Sequence, residues 1–314
     1  MRATPLAGAY TGAVMPTSPS AREHLDRGVM LMRSGDTGRA LEEFGVAAES
    51  AATASERTEA HRRMADVHRE IGAYDEAVSA ARTSAAIARG AELTEAVAEA
   101  VNAEGAVHLL RGDLDAARPL LEEALALATE PRVRGNVLLN IATMAARAGD
   151  LATAARYSGE AVANYERAGY ERGVLIALNN AAASTIEHGD AAAALPVLDR
   201  AGALARRLQD LDLLLLTVRN AAEALVSCGR LEEAEARVGE AIGFFVNASN
   251  TLRRAECLVI LGDIHVRRGG EAERDTAAQC YRRARELAGS IQAPVLLERI
   301  DGRLAALRAV APRG

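Results

Sequence analysis

The chain has 314 residues, 49% of them hydrophobic and 25% charged, a globular composition at a length that suits about two ordinary domains or one long repeat array. Aromatic residues make up only 3%, tryptophan is absent, and all 37 basic residues are arginine. The interior must therefore be built from small side chains and close helix contacts, and the missing lysine excludes a Walker A site, a kinase-type phosphate lysine and Schiff-base chemistry.

Taken in chain order, residues 1–20 hold three prolines, scattered Gly, Ser and Thr, and a single arginine. They lack the continuous apolar core of a signal peptide, so they predict a disordered leader and a cytoplasmic chain. From about residue 21 a helical pattern is interrupted by glycine at Gly35, Gly72, Gly112, Gly149, Gly189, Gly229 and Gly269, with steps of 37, 40, 37, 40, 40 and 40 residues. Each glycine stands where a helix should stop in the left-handed conformation, and most are followed by a polar residue. A second helical pattern starts within a few residues of each. The reading is seven helix–turn–helix hairpins. Beyond them, Pro294 suits the first turn of a helix, and Leu297, Ile300, Leu304 and Leu307 recur at helical spacing, which predicts a capping helix over 291–310 and a short tail over 311–314.

Alignment on the glycines exposes three columns of small residues. Seven positions before the marker stand Gly28, Ala65, Gly105, Ala142, Ala182, Ala222 and Gly262. Five after it stand Ala40, Ala77, Ala117, Ala154, Ala194 and Ala234, with Ala277 in that role if the last repeat carries about three extra turn residues. Seven further on stand Ala47, Ser84, Ala124, Ala161, Ala201, Ala241 and Ala284. Small residues at fixed points let paired helices approach closely.

This pattern resembles the tetratricopeptide repeat family over about residues 21–290, and the last repeat, LGDIH at 261–265 with Gly269 and AAQCYRRA at 277–284, carries the resemblance best. The period exceeds the usual length of about 34 residues, so the chain is most similar to the long-repeat subgroup that includes kinesin light chains and helical sensor domains of bacterial regulators. The family's aromatic positions are mostly replaced, by Leu31, His68, His108, Ala145, Thr185, Leu225 and His265. The resemblance implies an all-α, right-handed superhelical solenoid whose first helices line a concave, peptide-binding groove.

Carrying the family's groove register onto this sequence places Asn140, Asn180 and Asn220 in one column of three successive repeats, 40 residues apart. An Asn side chain offers an acceptor and two donors, so a row of them suits the C=O and N–H groups of an extended backbone. Asn136, Thr143, Arg147, Asn179, Arg219 and Glu223 share the face, with Glu187 and Ser227 beside them. Arg147 and Arg219 are suited to ligand carboxylates, while the glutamates favour a mixed-charge segment over a strongly acidic one. The family's chaperone-tail clamp needs lysines and is not expected.

Other constellations carry less. Cys228, Cys257 and Cys280 form no CxxC pair and read as reduced packing thiols. His61 and His68 are seven residues apart, too far for the four-residue step of a zinc motif, and His68, His108 and His265 read as core fillers; no metal or other cofactor is expected. No apolar run approaches the roughly 20 residues that cross a bilayer. With net charge −6 and both signs interspersed, no nucleic-acid surface is expected either. The expectation is a non-catalytic adaptor or scaffold that binds a peptide or protein partner in its groove. A regulatory sensor array acting in trans on a separate protein is the alternative. Self-association through the apolar end near Met30, Leu31 and Met32 is a further expectation, a homodimer.

Overall fold

A computed structural model describes residues 19–309, and every regular element among them is an α-helix. The leader expected over 1–20 lies outside the described residues except for Pro19 and Ser20, as does the whole tail expected over 311–314. Fifteen helices follow one another among the described residues. The hairpins are α1 (Ala21–Arg33) with α2 (Thr37–Ser50), α3 (Ala54–Glu70) with α4 (Tyr74–Gly90), α5 (Thr94–Arg111) with α6 (Leu114–Leu127), and α7 (Pro131–Arg147) with α8 (Leu151–Arg167). They continue with α9 (Glu171–Glu187) and α10 (Ala191–Leu208), α11 (Leu211–Ser227) and α12 (Leu231–Asn247), and α13 (Thr251–Arg268) and α14 (Glu271–Ser290). The terminal helix α15 (Pro294–Ala309) starts on the expected proline.

The glycine-plus-aspartate signal does two jobs at four of the seven hairpin turns, while Ala73 and Arg230 follow their glycines without a side-chain cap. At Gly149 the backbone has φ +80; its N–H bonds the carbonyl of Ala146 at 3.0 Å while the N–H of Asp150 reaches Ala145 at 2.9 Å. That pair of bonds closes the helix end. Asp150 then caps the next helix by accepting from the Thr153 N–H at 3.1 Å, and Asp36, Asp113 and Asp190 repeat the arrangement at their own turns. The last turn differs. Gly269 and Gly270 have φ +77, ψ 173 and φ +90, ψ 162, a region open essentially to glycine alone. Helix α14 starts immediately afterwards and runs 20 residues. The three extra residues of the seventh repeat thus belong to this helix and not, as the spacing suggested, to the turn.

The structure divides into two compact units, one ending at Ala103 and the other starting at Glu104, and the division falls within α5. In the first unit Leu25, Ala40, Phe44, Ala47, Ala60 and Val67 form a buried cluster. In the second, each helix from α6 to α15 packs on the next, and the first helices of neighbouring hairpins also meet, α7 with α9, α9 with α11 and α11 with α13. All three small-residue columns are buried along their length. They serve approach, while fully buried leucines such as Leu121, Leu138, Leu198 and Leu214 each contribute about 1.5–3 kcal/mol of apolar burial.

The columns also show size compensation. Where the first helix carries glycine, the facing helix carries bulk: a β-carbon at Gly28 would meet the Phe44 ring at 2.4 Å, one at Gly105 would meet Leu121 at 2.9 Å, and one at Gly262 would meet the Tyr281 ring at 2.4 Å. The equivalent pairs in the second and fourth repeats are Ala65 with Ala81 and Ala142 with Ser158. Helix α15 covers the last hairpin with Leu296 and Ile300 buried and Leu297, Leu304 and Leu307 packed against the same cluster as Val259 and Tyr281.

Candidate functional site

The proposed asparagine column lies in the second unit, and its three members are not equivalent. Asn180, on α9, is half-buried and makes no hydrogen bond or ion pair with another described residue. Asn140 is half-buried and already has a partner within the chain. Asn220 is buried and donates to Asn179 Oδ1 at 3.3 Å. Asn179, 1% exposed, donates in turn to the Leu175 carbonyl at 3.1 Å and to Thr217 Oγ1 at 3.0 Å. Asn179 and Asn220 therefore tie α9 to α11, where the sequence pattern places Asn220 in one row with Asn140 and Asn180, and Asn179 beside that row. The reason is helical phase: at this helix crossing the two side chains turn into the contact between first helices, where each polar atom needs a partner.

Several neighbours are committed as well. Thr143 Oγ1 donates to the Leu139 carbonyl at 2.9 Å. Asn136 Oδ1 accepts from the Tyr165 hydroxyl at 2.9 Å. Arg147 donates from Nη1 to the Leu109 carbonyl near the end of α5, which also accepts from the Gly112 N–H at 3.0 Å. Arg219 and Glu223 are exposed on α11, with Glu187 and Ser227 exposed at the ends of α9 and α11.

Arg219 and Glu223 border a cavity of about 630 Å³ framed by α11, α13, α14 and α15. Val226, Ile260, Ile264 and Leu307 supply apolar lining, and Arg267, Arg274, Arg303 and Asp263 supply charge. Arg303 grips Asp263 with two bonds, Nε to Oδ1 at 2.8 Å and Nη2 to Oδ2 at 3.1 Å. Tyr281 donates its hydroxyl to the same Oδ1 at 2.6 Å, and burial together with that carboxylate pushes the phenol well above its ordinary range. Those three side chains form one wall. Arg219, Arg267 and Arg274 make no hydrogen bond or ion pair with another described residue.

Sequence reasoning missed Arg267 and Asp263 although the register points to them. Arg267 stands two residues before its marker glycine, as Arg147 does, and Asp263 stands six before, as Glu223 does. Arg274 and Arg303 carry no such signal, since α14 and α15 bring them in from outside the first-helix register.

Cys257 and Cys280 are buried and Cys228 is half-buried, all three as free thiols. Burial pushes the Cys257 thiol up to about 12. His265 is buried and its Nδ1 lies 2.6 Å from Glu273 Oε2, so it fills core space with a polar partner, while His68 and His108 are half-buried. Met30 is 68% exposed, with Leu31 and Met32 packed on the first unit's core. Among the described residues no cluster of three or more His, Cys, Asp or Glu is placed to hold a metal ion, and no helix is long and apolar enough to cross a membrane.

Comparison with solved structures settles the architecture. The chain is similar to the signal-transduction ATPase with a tetratricopeptide repeat sensor from Pyrococcus horikoshii (TM-score 0.66, 14% identity, 89% of this chain and 44% of that one). It is also similar to a Rap protein complexed with Competence and Sporulation Factor (TM-score 0.60, 15% identity, 92% and 75%). The apo quorum sensor NprR from B. thuringiensis aligns comparably (TM-score 0.64, 14% identity, 85% and 76%). The fold is a tetratricopeptide-type helical solenoid. The chain spans less than half the length of the ATPase. No protein-family model matches the sequence, and neither does any curated protein.

Proposed function

We propose that this tetratricopeptide-type solenoid is a non-catalytic adaptor that holds a peptide or an extended protein segment against the first helices of its second unit. The observation that carries the reading is the cavity beside α11 and α13, where exposed charge and an apolar floor adjoin a rigid helical frame. A preformed surface of this kind lowers the ordering cost on the protein side. Upstream on the same face, Asn180 offers an amide with no partner of its own and remains the best-placed member of the asparagine column. A regulatory sensor is the second reading, favoured by the company of a tetratricopeptide sensor and a quorum sensor among similar folds.

Site-specific photo-crosslinking tests the adaptor reading. A photoreactive residue at Asn180 or Glu223 should trap a protein partner from native lysate, whereas one at Glu240, exposed on α12, should not. Trapping at Glu240 alone would reject the first-helix face. A ligand-dependent change in small-angle scattering would favour the sensor over a constitutive adaptor.

A further inference from the structure

We infer that the cavity framed by α11, α13, α14 and α15 takes an acidic peptide segment, its carboxylates on Arg219, Arg267 and Arg274 and an apolar side chain on the floor between them. This rests on the peptide-binding reading above and names the chemistry of the partner.

In the second unit several guanidiniums find a carboxylate about one repeat away. Arg172 meets Asp210 at 2.9 Å, Arg207 meets Glu171 at 2.8 Å, and Arg237 meets Asp199 at 2.7 Å. Arg253 bonds Asp212, and Arg268 meets Glu235 at 2.8 Å. Within the cavity wall Arg303 pairs with Asp263 in the same way. Arg219, Arg267 and Arg274 have no carboxylate partner among the described residues, as is also true of Arg118, Arg206, Arg254, Arg282 and Arg308; what sets the three apart is that they border one cavity. Against them stands one uncommitted carboxylate, Glu223. In a chain of net charge −6, this is a local positive surface backed by Ile260, Ile264 and Leu307.

The form of the surface selects among anions. The three guanidiniums sit on three different helices, α11, α13 and α14, which suits carboxylates spaced along a chain better than one compact anion. Guanidinium forks match carboxylates in geometry as well as charge. The apolar floor rewards a side chain such as leucine between the acidic positions, and Glu223 opposes a dense polyanion such as nucleic acid. The volume, about 630 Å³, falls in the range of about 300–1,000 Å³ usual for ligand sites. The mixed-charge ligand suggested by Glu187 and Glu223 gives way to an acidic one because the unpaired arginines outnumber the glutamate at this cavity.

A displayed library of random peptides, panned on the full chain, is the probe. The expected selection is peptides with acidic residues flanking an apolar one, binding more weakly as salt rises. For a peptide so selected, fluorescence anisotropy should show Arg219→Gln/Arg267→Gln/Arg274→Gln weakening the Kd by about tenfold or more, equivalent to about 1.4 kcal/mol. Glu223→Gln should tighten it, a gain that damage to the fold would not produce. Circular dichroism melts check that the variants are folded. Neutral or basic selected peptides, or acidic ones that bind the triple variant as well as wild type, would overturn the inference and leave peptide binding standing. Failure to select any peptide would overturn both.

Discussion

The ring of Tyr281 packs against Gly262 so closely that a β-carbon at Gly262 would lie 2.4 Å from its Cε1. The Tyr281 hydroxyl is held by Asp263 and its ring is 1% exposed, so it has little room to withdraw. Gly262→Ala should therefore destabilise the last hairpin by about 1–3 kcal/mol, the usual cost of overpacking. A fall in melting temperature of about 2–4 °C per kcal/mol, followed by circular dichroism, reads this out. Gly262→Ala with Tyr281→Leu should recover part of the loss, since Ala182 and Leu198 are the equivalent pair in the fifth repeat.

Asn179 and Asn180 are neighbours in sequence with opposite expectations. Asn179→Ala leaves Thr217 and Asn220 short of a buried partner and should cost about 1–3 kcal/mol. Asn180→Ala removes a side chain with no partner among the described residues and should stay within about 0.5 kcal/mol of wild type. Parallel melts decide this, and an equal loss in both would contradict the network described around Asn179.

Arg147 adds a second donor to the Leu109 carbonyl at the end of α5, which the Gly112 N–H already bonds. Arg147→Met keeps much of the apolar stem and removes the donor. The expected cost is about 0.3–1 kcal/mol, typical of a cation at a helix C-terminus. Hydrogen exchange should quicken in the last turn of α5 and stay unchanged in α9.

The buried Cys257 thiol makes stability fall at alkaline pH. Its ordinary value of 9.0 is raised to about 12 by burial, so between these values the unfolded chain has released a proton that the folded chain retains. Unfolding is then favoured by rising pH: the contribution is intact below about 9 and is lost progressively toward about 12, at up to about 1.4 kcal/mol per pH unit. Tyr165 and Tyr281, both raised chiefly by burial, add to the slope above the ordinary phenol range. Denaturant titrations from pH 8 to pH 10.5 should show a shallower decline for Cys257→Ala than for wild type, and parallel curves would argue against a buried protonated thiol.

The fold was legible because its determinants repeat. A glycine that closes one helix and three small columns recur at nearly constant spacing, an aspartate caps the next helix at four of the turns, and each has a local physical role that needs no tertiary knowledge. The size compensation between Gly28 and Phe44, or Gly262 and Tyr281, was equally present in the alignment but becomes visible only once the facing residues are known. The candidate site was legible in part. Arg219 and Glu223 were placed by register alone, and extending that register one repeat would have added Asp263 and Arg267. A column fixes an angular position only to within a residue or so. That small rotation separates Asn180, left without a partner, from Asn220, drawn into the seam with Asn179. Arg274 and Arg303 come from helices outside the repeating face, where periodicity carries no information.

A repeat array is close to translationally symmetric, and a symmetric surface offers every ligand the same grip at every step. The longer α14 breaks that equivalence with only three residues, Glu271 to Glu273, added ahead of the usual helix start. Glu273 reaches His265 and Arg268, and Arg274 lies within the helix at the position that opens α8, α10 and α12 with Leu151, Ala191 and Leu231. One end of the array thereby acquires an address that the other repeats lack, so a bound segment would have a defined register and direction instead of sliding from one repeat to the next.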